Sequence, residues 1–355
     1  MVVLGGSLHH RGGLEAYCER AVDAVSRHAR HWEATSLPTD TAYFSPRRWR
    51  SVWRAWRRLE GLAGVDLVWL QWSTLLDLLL LLRARRLGLT VLVTPHLGAR
   101  ARLQRWPILR RLCTAMLGRA DRLALLFDDQ GGEIALPPGV PRPTIGTFLP
   151  EEALAPPTKA ATGDRLRLVH AGRLSVEKGT FRLVELCALL RDRAVPFSAR
   201  IIGRADEAVM TGLAEAIDRA GLAADVTLAG WMDGPALREE LAGADVLVHL
   251  SELDSFPLIV LEALAAGAVP LVADMAGAAA MVRRYGGFVT PVGHVAAAAD
   301  WLAGQDPNAL RRRGAEAGAG VRQDHDWRRM VDRLEDIADA TLAKVASAAV
   351  DPPGL

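Results

Sequence analysis

Apolar residues along this chain follow two rhythms. Short β-branched or apolar runs fall at 1–4, 66–70, 90–94 and 122–127, and again at 166–171, 198–202, 226–229, 246–250, 269–272 and 288–289. Between them lie longer segments, such as 14–30, 183–193 and 209–220, in which apolar positions recur every three or four residues. The short runs predict buried strands and the longer segments predict amphipathic helices. Strands that alternate with helices imply parallel sheets covered by helices on both faces. The apolar stretch 67–82 is interrupted by Gln71 and Asp77 and falls short of the roughly 20 residues of a membrane span. It predicts a buried strand followed by an apolar helix. The apolar start at Met1 runs into Gly5 and Gly6, which is too short for the core of a signal peptide.

Breaks in the pattern divide the chain. Its 355 residues suffice for two domains at about 100–200 residues each. Pro137, Pro138, Pro141 and Pro143 are followed by Pro156, Pro157 and a polar stretch up to Asp164, which is linker composition. We therefore expect a first α/β domain over 1–155, a second over 160–325, and a final amphipathic helix over 326–347. In that helix Met330, Val331, Leu334, Ile337 and Leu342 recur at helical spacing. The tail 351–355 is expected to be disordered. Two such domains make a cleft, and in open parallel sheets ligands bind beyond the carboxyl ends of the strands.

Charge alters this picture more than composition does. Cys18, Cys113 and Cys187 are far apart and form no CxxC pair. That disfavours a disulfide framework or a structural zinc and suits a reducing, cytoplasmic setting. The whole chain carries only +2, yet the first 150 residues hold 21 arginines, no lysine and 12 acids, so +9 sits there and about −7 in the remainder. A basic first half suggests an anionic partner, such as a lipid surface or a phosphorylated acceptor. The stretch 46–63, PRRWRSVWRAWRRLEGLA, predicts a helix from Arg47 through Leu59. Trp49, Val52, Trp53, Trp56 and Leu59 form one stripe, and Arg50, Arg54, Arg57 and Arg58 lie largely away from it. Such a helix suits the anionic inner face of a membrane. The same stripe also suits packing against the domain's own core. Nucleic acid is the weaker reading, and no nucleic-acid partner is expected.

Four stretches carry candidate chemistry. In 251–267, SELDSFPLIVLEALAAG, Asp254 or Ser255 can cap a helix, Pro257 suits its first turn and Gly267 can end it. The helix start offers backbone amides to an anion such as a diphosphate. Asp254 and Glu262 are eight residues apart, about 12 Å along a helix, which suits a ligand with hydroxyls at both ends. In 170–179, HAGRLSVEKG, Arg173 and Lys178 sit in a strand-to-helix loop and offer two cations to a diphosphate. Gly12 and Gly13 lie in the first such loop, where a ligand can approach bare backbone. His96, in TPH, stands just after a strand. Each of the four also has a plain structural reading: a capped helix, a solvated basic loop, a tight turn, a packed histidine.

Taken together, these stretches resemble the family-4 retaining glycosyltransferases of GT-B fold, from Gly12 to about Trp327. The resemblance rests on the glycine pair, the histidine, the GR…EKG segment and an E-x7-E-like motif ending in EALAAG. It implies two Rossmann-like domains with an interdomain cleft, and a last helix that crosses back to the first domain. It implies transfer of a hexose-type sugar from a nucleotide–sugar, with no metal and no cofactor beyond that co-substrate. Arg173 and Lys178 match residues that hold the donor diphosphate, Glu262 the one on the nucleotide ribose, and Asp254 the one on the donor sugar. Phe256, Pro257 and Leu258 match the stretch whose amides face the donor. His96 matches the histidine near the transferred sugar, and Gly12 and Gly13 the loop over the phosphates. The chain departs from the pattern in having Asp254 where the family has Glu, with Glu252 nearby, and Ala276, Gly277 and Ala280 where a GG..E motif is common.

A lipid-linked acceptor or a polysaccharide intermediate fits the basic, Trp-rich stretch, as does a peripheral place on the inner face of the cell membrane. Competing classes are a GT-B phosphorylase, a nucleotide–sugar epimerase, and a non-catalytic nucleotide–sugar-binding partner of an active transferase.

Overall fold

The computed structural model describes residues 1–7, 9, 12–43, 49–62, 64–157, 163–254 and 256–350. Arg47, Ser255, parts of the linker and the tail 351–355 lie outside them. The chain divides into two compact units, Met1–Pro150 with Trp327–Leu355, and Glu151–Asp326.

The first unit runs β1 (Val2–Leu4), α1 (Gly13–His28), β2 (Thr35–Leu37), α2 (Trp49–Arg58), β3 (Val68–Trp72), α3 (Leu75–Arg86), β4 (Val91–Pro95), α4 (Arg102–Arg105), α5 (Pro107–Leu117), β5 (Arg122–Leu123) and α6 (Gln130–Glu133). Its sheet has the order β2-β1-β3-β4-β5, every pair parallel. Strand side chains alternate between faces. Val2, Leu4, Val68, Leu70, Trp72, Val91 and Val93 meet Leu59, Leu78, Leu81 and Leu117 in one cluster on one face. On the other, Tyr17 of α1 lies edge-on to Trp69. The two polar residues that break the apolar run both have work there. Asp77 is fully buried and accepts the amides of Ser73 and Thr74 at 2.8 and 2.7 Å, so it closes a capping box at the start of α3. Gln71 is fully buried on β3.

Two expectations need correction here. The run 122–127 forms a strand only over Arg122–Leu123, followed by an isolated bridge from Leu125 to Thr144, and the amide of Leu126 is taken by the Gln130 side chain at 2.8 Å. β2 was not foreseen, since two of its three positions are exposed and polar.

The second unit runs β6 (Leu166–Arg173), α7 (Thr180–Asp192), β7 (Phe197–Arg204), α8 (Glu207–Arg219), β8 (Val226–Gly230), α9 (Gly234–Gly243), β9 (Val246–His249), α10 (Leu258–Ala265), β10 (Val269–Ala273), α11 (Ala276–Tyr285), β11 (Phe288–Thr290), α12 (Val295–Ala303) and α13 (Pro307–Asp324). Its parallel sheet has the order β11-β10-β9-β6-β7-β8. The chain winds outward from β6 through β7 and β8, then returns to β9 on the other side of β6. The loops after β6 and β9 therefore leave neighbouring strands in opposite directions, and this switch point is where open sheets bind ligands.

The last helix, α14 (Trp327–Val350), belongs to the first unit and packs on α1. Its buried Glu335 accepts from the Arg30 amide and Nε, both at 2.8 Å, and Asp339 accepts from Trp32 Nε1 at 2.9 Å. Among the described residues no helix is long and apolar enough to cross a membrane.

Candidate nucleotide–sugar site

The loop after β6 is held in place before it can hold anything else. His170, buried inside β6, donates from Nδ1 to the Val248 carbonyl at 3.0 Å, so its Nε2 accepts from the Thr180 hydroxyl at 3.1 Å. Burial pushes the His170 pKa down to about 4, which keeps the ring neutral and fixes this direction of bonding. Gly179 adopts φ +77°, and a Cβ there would stand 2.3 Å from the Leu250 carbonyl oxygen. The glycine of the EKG segment is thus required by the close approach of the two switch-point loops.

That approach brings three polar side chains together. Lys178 Nζ donates to Asp254 Oδ1, and His249 Nε2 donates to Asp254 Oδ2 at 2.9 Å. Burial alone would raise the Asp254 pKa. The hydrogen bond and charge of His249, with those of Lys178, outweigh it and hold the carboxyl well below the usual carboxylate range. His249 is buried at the end of β9, and its Nδ1 has no hydrogen-bond partner among the described residues. Arg173, the last residue of β6, is exposed. Arg182 donates to Glu252 and to the Leu250 carbonyl, the latter at 2.9 Å. Glu252, the possible competitor of Asp254, is therefore engaged elsewhere.

The helix expected after this loop starts later than its sequence suggests. α10 begins at Leu258 with Pro257 as its N-cap, and no side chain caps it. Asp254 does not cap because Lys178 and His249 hold its carboxylate; Ser255 lies outside the described residues. Asp254 and Glu262 consequently do not share one helix, and the 12 Å spacing does not apply. Phe256, Pro257 and Leu258 form the entry to α10, and Glu262 stands half-buried in its second turn. Gly267, at φ +79°, ends α10 as expected: its amide bonds Leu264 O and the next amide bonds Ala263 O, both at 2.9 Å.

In the first unit, His96 follows β4, and its Nε2 donates to Gln71 Oε1 at 2.8 Å. The Tyr17 ring stands edge-on to it with centroids 4.9 Å apart. Burial pushes the His96 pKa down to about 3, so the ring is neutral. Gly12 is the N-cap of α1 in extended conformation, and a Cβ on Gly13 would meet nothing within 4 Å. The glycine pair that the backbone demands is Gly5 and Gly6, at φ +156° and +72°, with a Gly5 Cβ only 2.7 Å from Gln71. Neither His249 nor Gln71 is among the candidate site residues that the sequence motifs mark. The available signal was a polar residue inside an otherwise apolar strand.

Two Rossmann-like units on parallel sheets constitute the GT-B fold. Solved structures with this architecture include Anabaena HepE in complex with UDP and glucose, 15% identical, covering 96% of this chain and 99% of that one with a TM-score of 0.74. A sucrose-phosphate synthase from Thermosynechococcus elongatus is 18% identical, with coverage of 97% and 99% and a TM-score of 0.79. At these identities the likeness is one of fold. Within that fold, residues 155–313 match the family described as Glycosyl transferases group 1, so the stretch that builds the switch-point site carries that family's pattern. The chain is also 35% identical over 146 residues to the D-inositol 3-phosphate glycosyltransferase of Arthrobacter sp. (strain FB24). That similarity covers 40% of this chain and about a third, 33%, of the relative's length.

Proposed function

We propose that the chain is a retaining, metal-independent glycosyltransferase of the family-4 type. It moves a hexose-type sugar from a nucleotide–sugar donor to a lipid-linked or other glycoconjugate acceptor. The observation that carries this reading is the Lys178–Asp254–His249 constellation at the switch point of a unit whose sequence matches the group 1 glycosyl transferases. Arg173 and Lys178 take the donor diphosphate, and their charge grows in value as the leaving group becomes more anionic. Asp254 accepts from donor-sugar hydroxyls, Glu262 from the ribose, and the amides of Phe256, Pro257's successor Leu258 and the α10 start face the phosphates. His96, neutral at working pH, serves as a hydrogen-bonding group near the transferred sugar. Gly12 and Gly13 leave room over the phosphates.

In this mechanism the anomeric C–O bond breaks with its electron pair passing to the phosphate oxygen. The acceptor hydroxyl attacks from the same face through an oxocarbenium-like state, and its proton goes to that phosphate oxygen. No metal or further cofactor takes part. The HepE complexes make UDP-sugars the first donors to test. The exposed Trp49 and Trp53 of α2, flanked by arginines, support a peripheral place on an anionic, inner membrane surface.

The test is donor turnover by the purified chain across common nucleotide–sugars, with and without chelator, followed by the anomeric configuration of the product. Release of nucleoside diphosphate is expected, and a folded Lys178→Ala variant should lose it. Undiminished turnover by that variant would remove the diphosphate assignment, and an inverted product would remove retention. Donor binding without turnover would favour a non-catalytic partner.

A further inference from the structure

The large apolar side chains that the first unit leaves exposed are not scattered. Among the described residues they are Trp49, Trp53, Leu79, Leu87, Trp106, Ile108 and Leu112, with Val345 of α14 apart. The seven stand on α2, α3 and α5 or at the ends of α3 and α4. These helices cover one and the same face of the sheet, since Leu59 after α2, Leu78 and Leu81 of α3 and Met116 and Leu117 of α5 share one inward cluster. α1 and α14 are on the other face.

Only part of the expected stripe of α2 reaches the core. Trp56 packs on the core and Leu59 is buried, whereas Trp49 and Trp53 are 52% and 51% exposed. A second such element follows α4. Trp106 is 55% exposed with Arg102 stacked on its ring at 5.0 Å, and Ile108 and Leu112, one turn apart, are 80% and 45% exposed. No contact among the described residues of the unit covers this isoleucine. Charge on this face is predominantly positive. Arg50, Arg54, Arg57, Arg58, Arg86, Arg102, Arg105, Arg110 and Arg111 are all exposed. Of the acids between α2 and α5, Asp77 is fully buried, Glu60 is exposed but paired with Arg57 and Arg83, and Asp66 is exposed in the turn before β3.

We propose that this face is a two-point docking surface for an anionic lipid bilayer, with Trp106, Ile108 and Leu112 as a second insertion site besides Trp49 and Trp53. The inference rests on the reading of α2 as a membrane contact and adds the α4–α5 site to it. A bilayer fits better than nucleic acid because aliphatic side chains at 108 and 112 gain nothing from phosphates. It fits better than a protein partner because the apolar groups are separated by arginines. With neighbouring helices about 8–10 Å apart, the two sites lie roughly 20 Å from each other across α3. Two separated anchors fix which face of the unit meets the membrane, which one amphipathic helix cannot do.

The experiment is co-sedimentation of the full chain with vesicles of phosphatidylcholine, and with vesicles partly replaced by phosphatidylglycerol. Two variants, Trp49→Ser/Trp53→Ser and Ile108→Ser/Leu112→Ser, change exposed residues, so far-UV circular dichroism and donor turnover in solution should match the parent. The parent should bind the anionic vesicles at least about tenfold more tightly than the neutral ones, and each variant should lose about tenfold on the anionic ones. If only the Trp variant loses binding, the second site is overturned and the α2 reading stands. If the parent binds neither vesicle, both fall, while donor turnover still reports on the transferase reading. Tight binding of duplex DNA by parent and Ile108→Ser/Leu112→Ser alike, without vesicle binding, would reassign the face to nucleic acid.

Discussion

Replacing Gly179 with alanine tests whether the two switch-point loops are as tightly joined as their geometry indicates. Two costs are separable. The residue sits at φ +77° and ψ 17°, a left-handed conformation that costs a non-glycine residue about 1–2 kcal/mol. The new Cβ would also lie 2.3 Å from the Leu250 oxygen and 2.5 Å from its carbonyl carbon. That is far inside van der Waals contact. Leu250 cannot simply retreat, because it is buried behind β9 and its oxygen accepts from Arg182 at 2.9 Å. The loop would have to move instead, loosening the Gly179 amide from Val176 O at 3.0 Å and the Lys178 amide from Ser175 Oγ at 3.2 Å. Overpacking of this kind costs about 1–3 kcal/mol, so the total is about 2–5 kcal/mol.

Because the displaced loop carries Lys178, the same change should part its ammonium from Asp254. Urea unfolding followed by circular dichroism, with hydrogen exchange at the α7 amides, reads the first effect, and donor turnover reads the second. A variant within about 0.5 kcal/mol of the parent, below the spread expected for such sites, would refute the reasoning.

Gly13→Ala is the matched contrast: open space surrounds its Cβ, so stability should hold or rise by up to about 1 kcal/mol, while donor turnover falls if phosphates pass over that backbone. An unchanged rate would return the Gly12–Gly13 pair to a plain turn. Gln71→Leu removes the acceptor of His96 Nε2–H inside the core and should cost about 1–3 kcal/mol in thermal or urea unfolding, with a lower kcat/KM. Acid should weaken the fold early. His170, buried, and His96, half-buried, are both neutral, with pKa values of about 4 and about 3, below the unfolded value of about 6.5. The unfolded chain therefore binds more protons as pH falls; stability is complete above about pH 6.5 and declines toward pH 4 and below, by up to about 1.4 kcal/mol per pH unit for each histidine. His170→Gln should flatten that decline in a pH series of urea unfolding, and an unaltered slope would exclude His170 as its source.

The alternation of short apolar runs and helical segments was enough to read an α/β chain with parallel sheets, because burial on both faces makes such strands continuous in hydrophobicity. What escaped had weak burial or shared burial. β2 spans Thr35–Leu37 at a sheet edge, where two of three side chains face solvent, so no apolar signal marks it. For α2 the stripe was visible but its destination was not. Trp49 and Trp56 lie two turns apart on nearly the same side of the helix, yet Trp49 is exposed and Trp56 packs on the core. In a helix only ten residues long, how much of the stripe reaches the core is decided by what the sheet below can accept.

At the candidate site the residue types were legible and their pairings were not. Asp254 followed by Pro257 satisfies the local rules for a helix start, yet local capping lost to two partners distant in sequence or strand geometry. Lys178 is separated from Asp254 by 76 residues and comes from the other side of the switch point. His249 lies only five residues before Asp254 but at the end of a strand, so the chain must turn back for Nε2 to reach the carboxylate. These partners also bear on the departure from the Glu of the resembling family. An aspartate held at both oxygens by a buried imidazole and an ammonium has little freedom to reorient, and a shorter acid so fixed is a preorganised acceptor. The missing methylene is thus better understood together with His249 than as the loss of a motif residue.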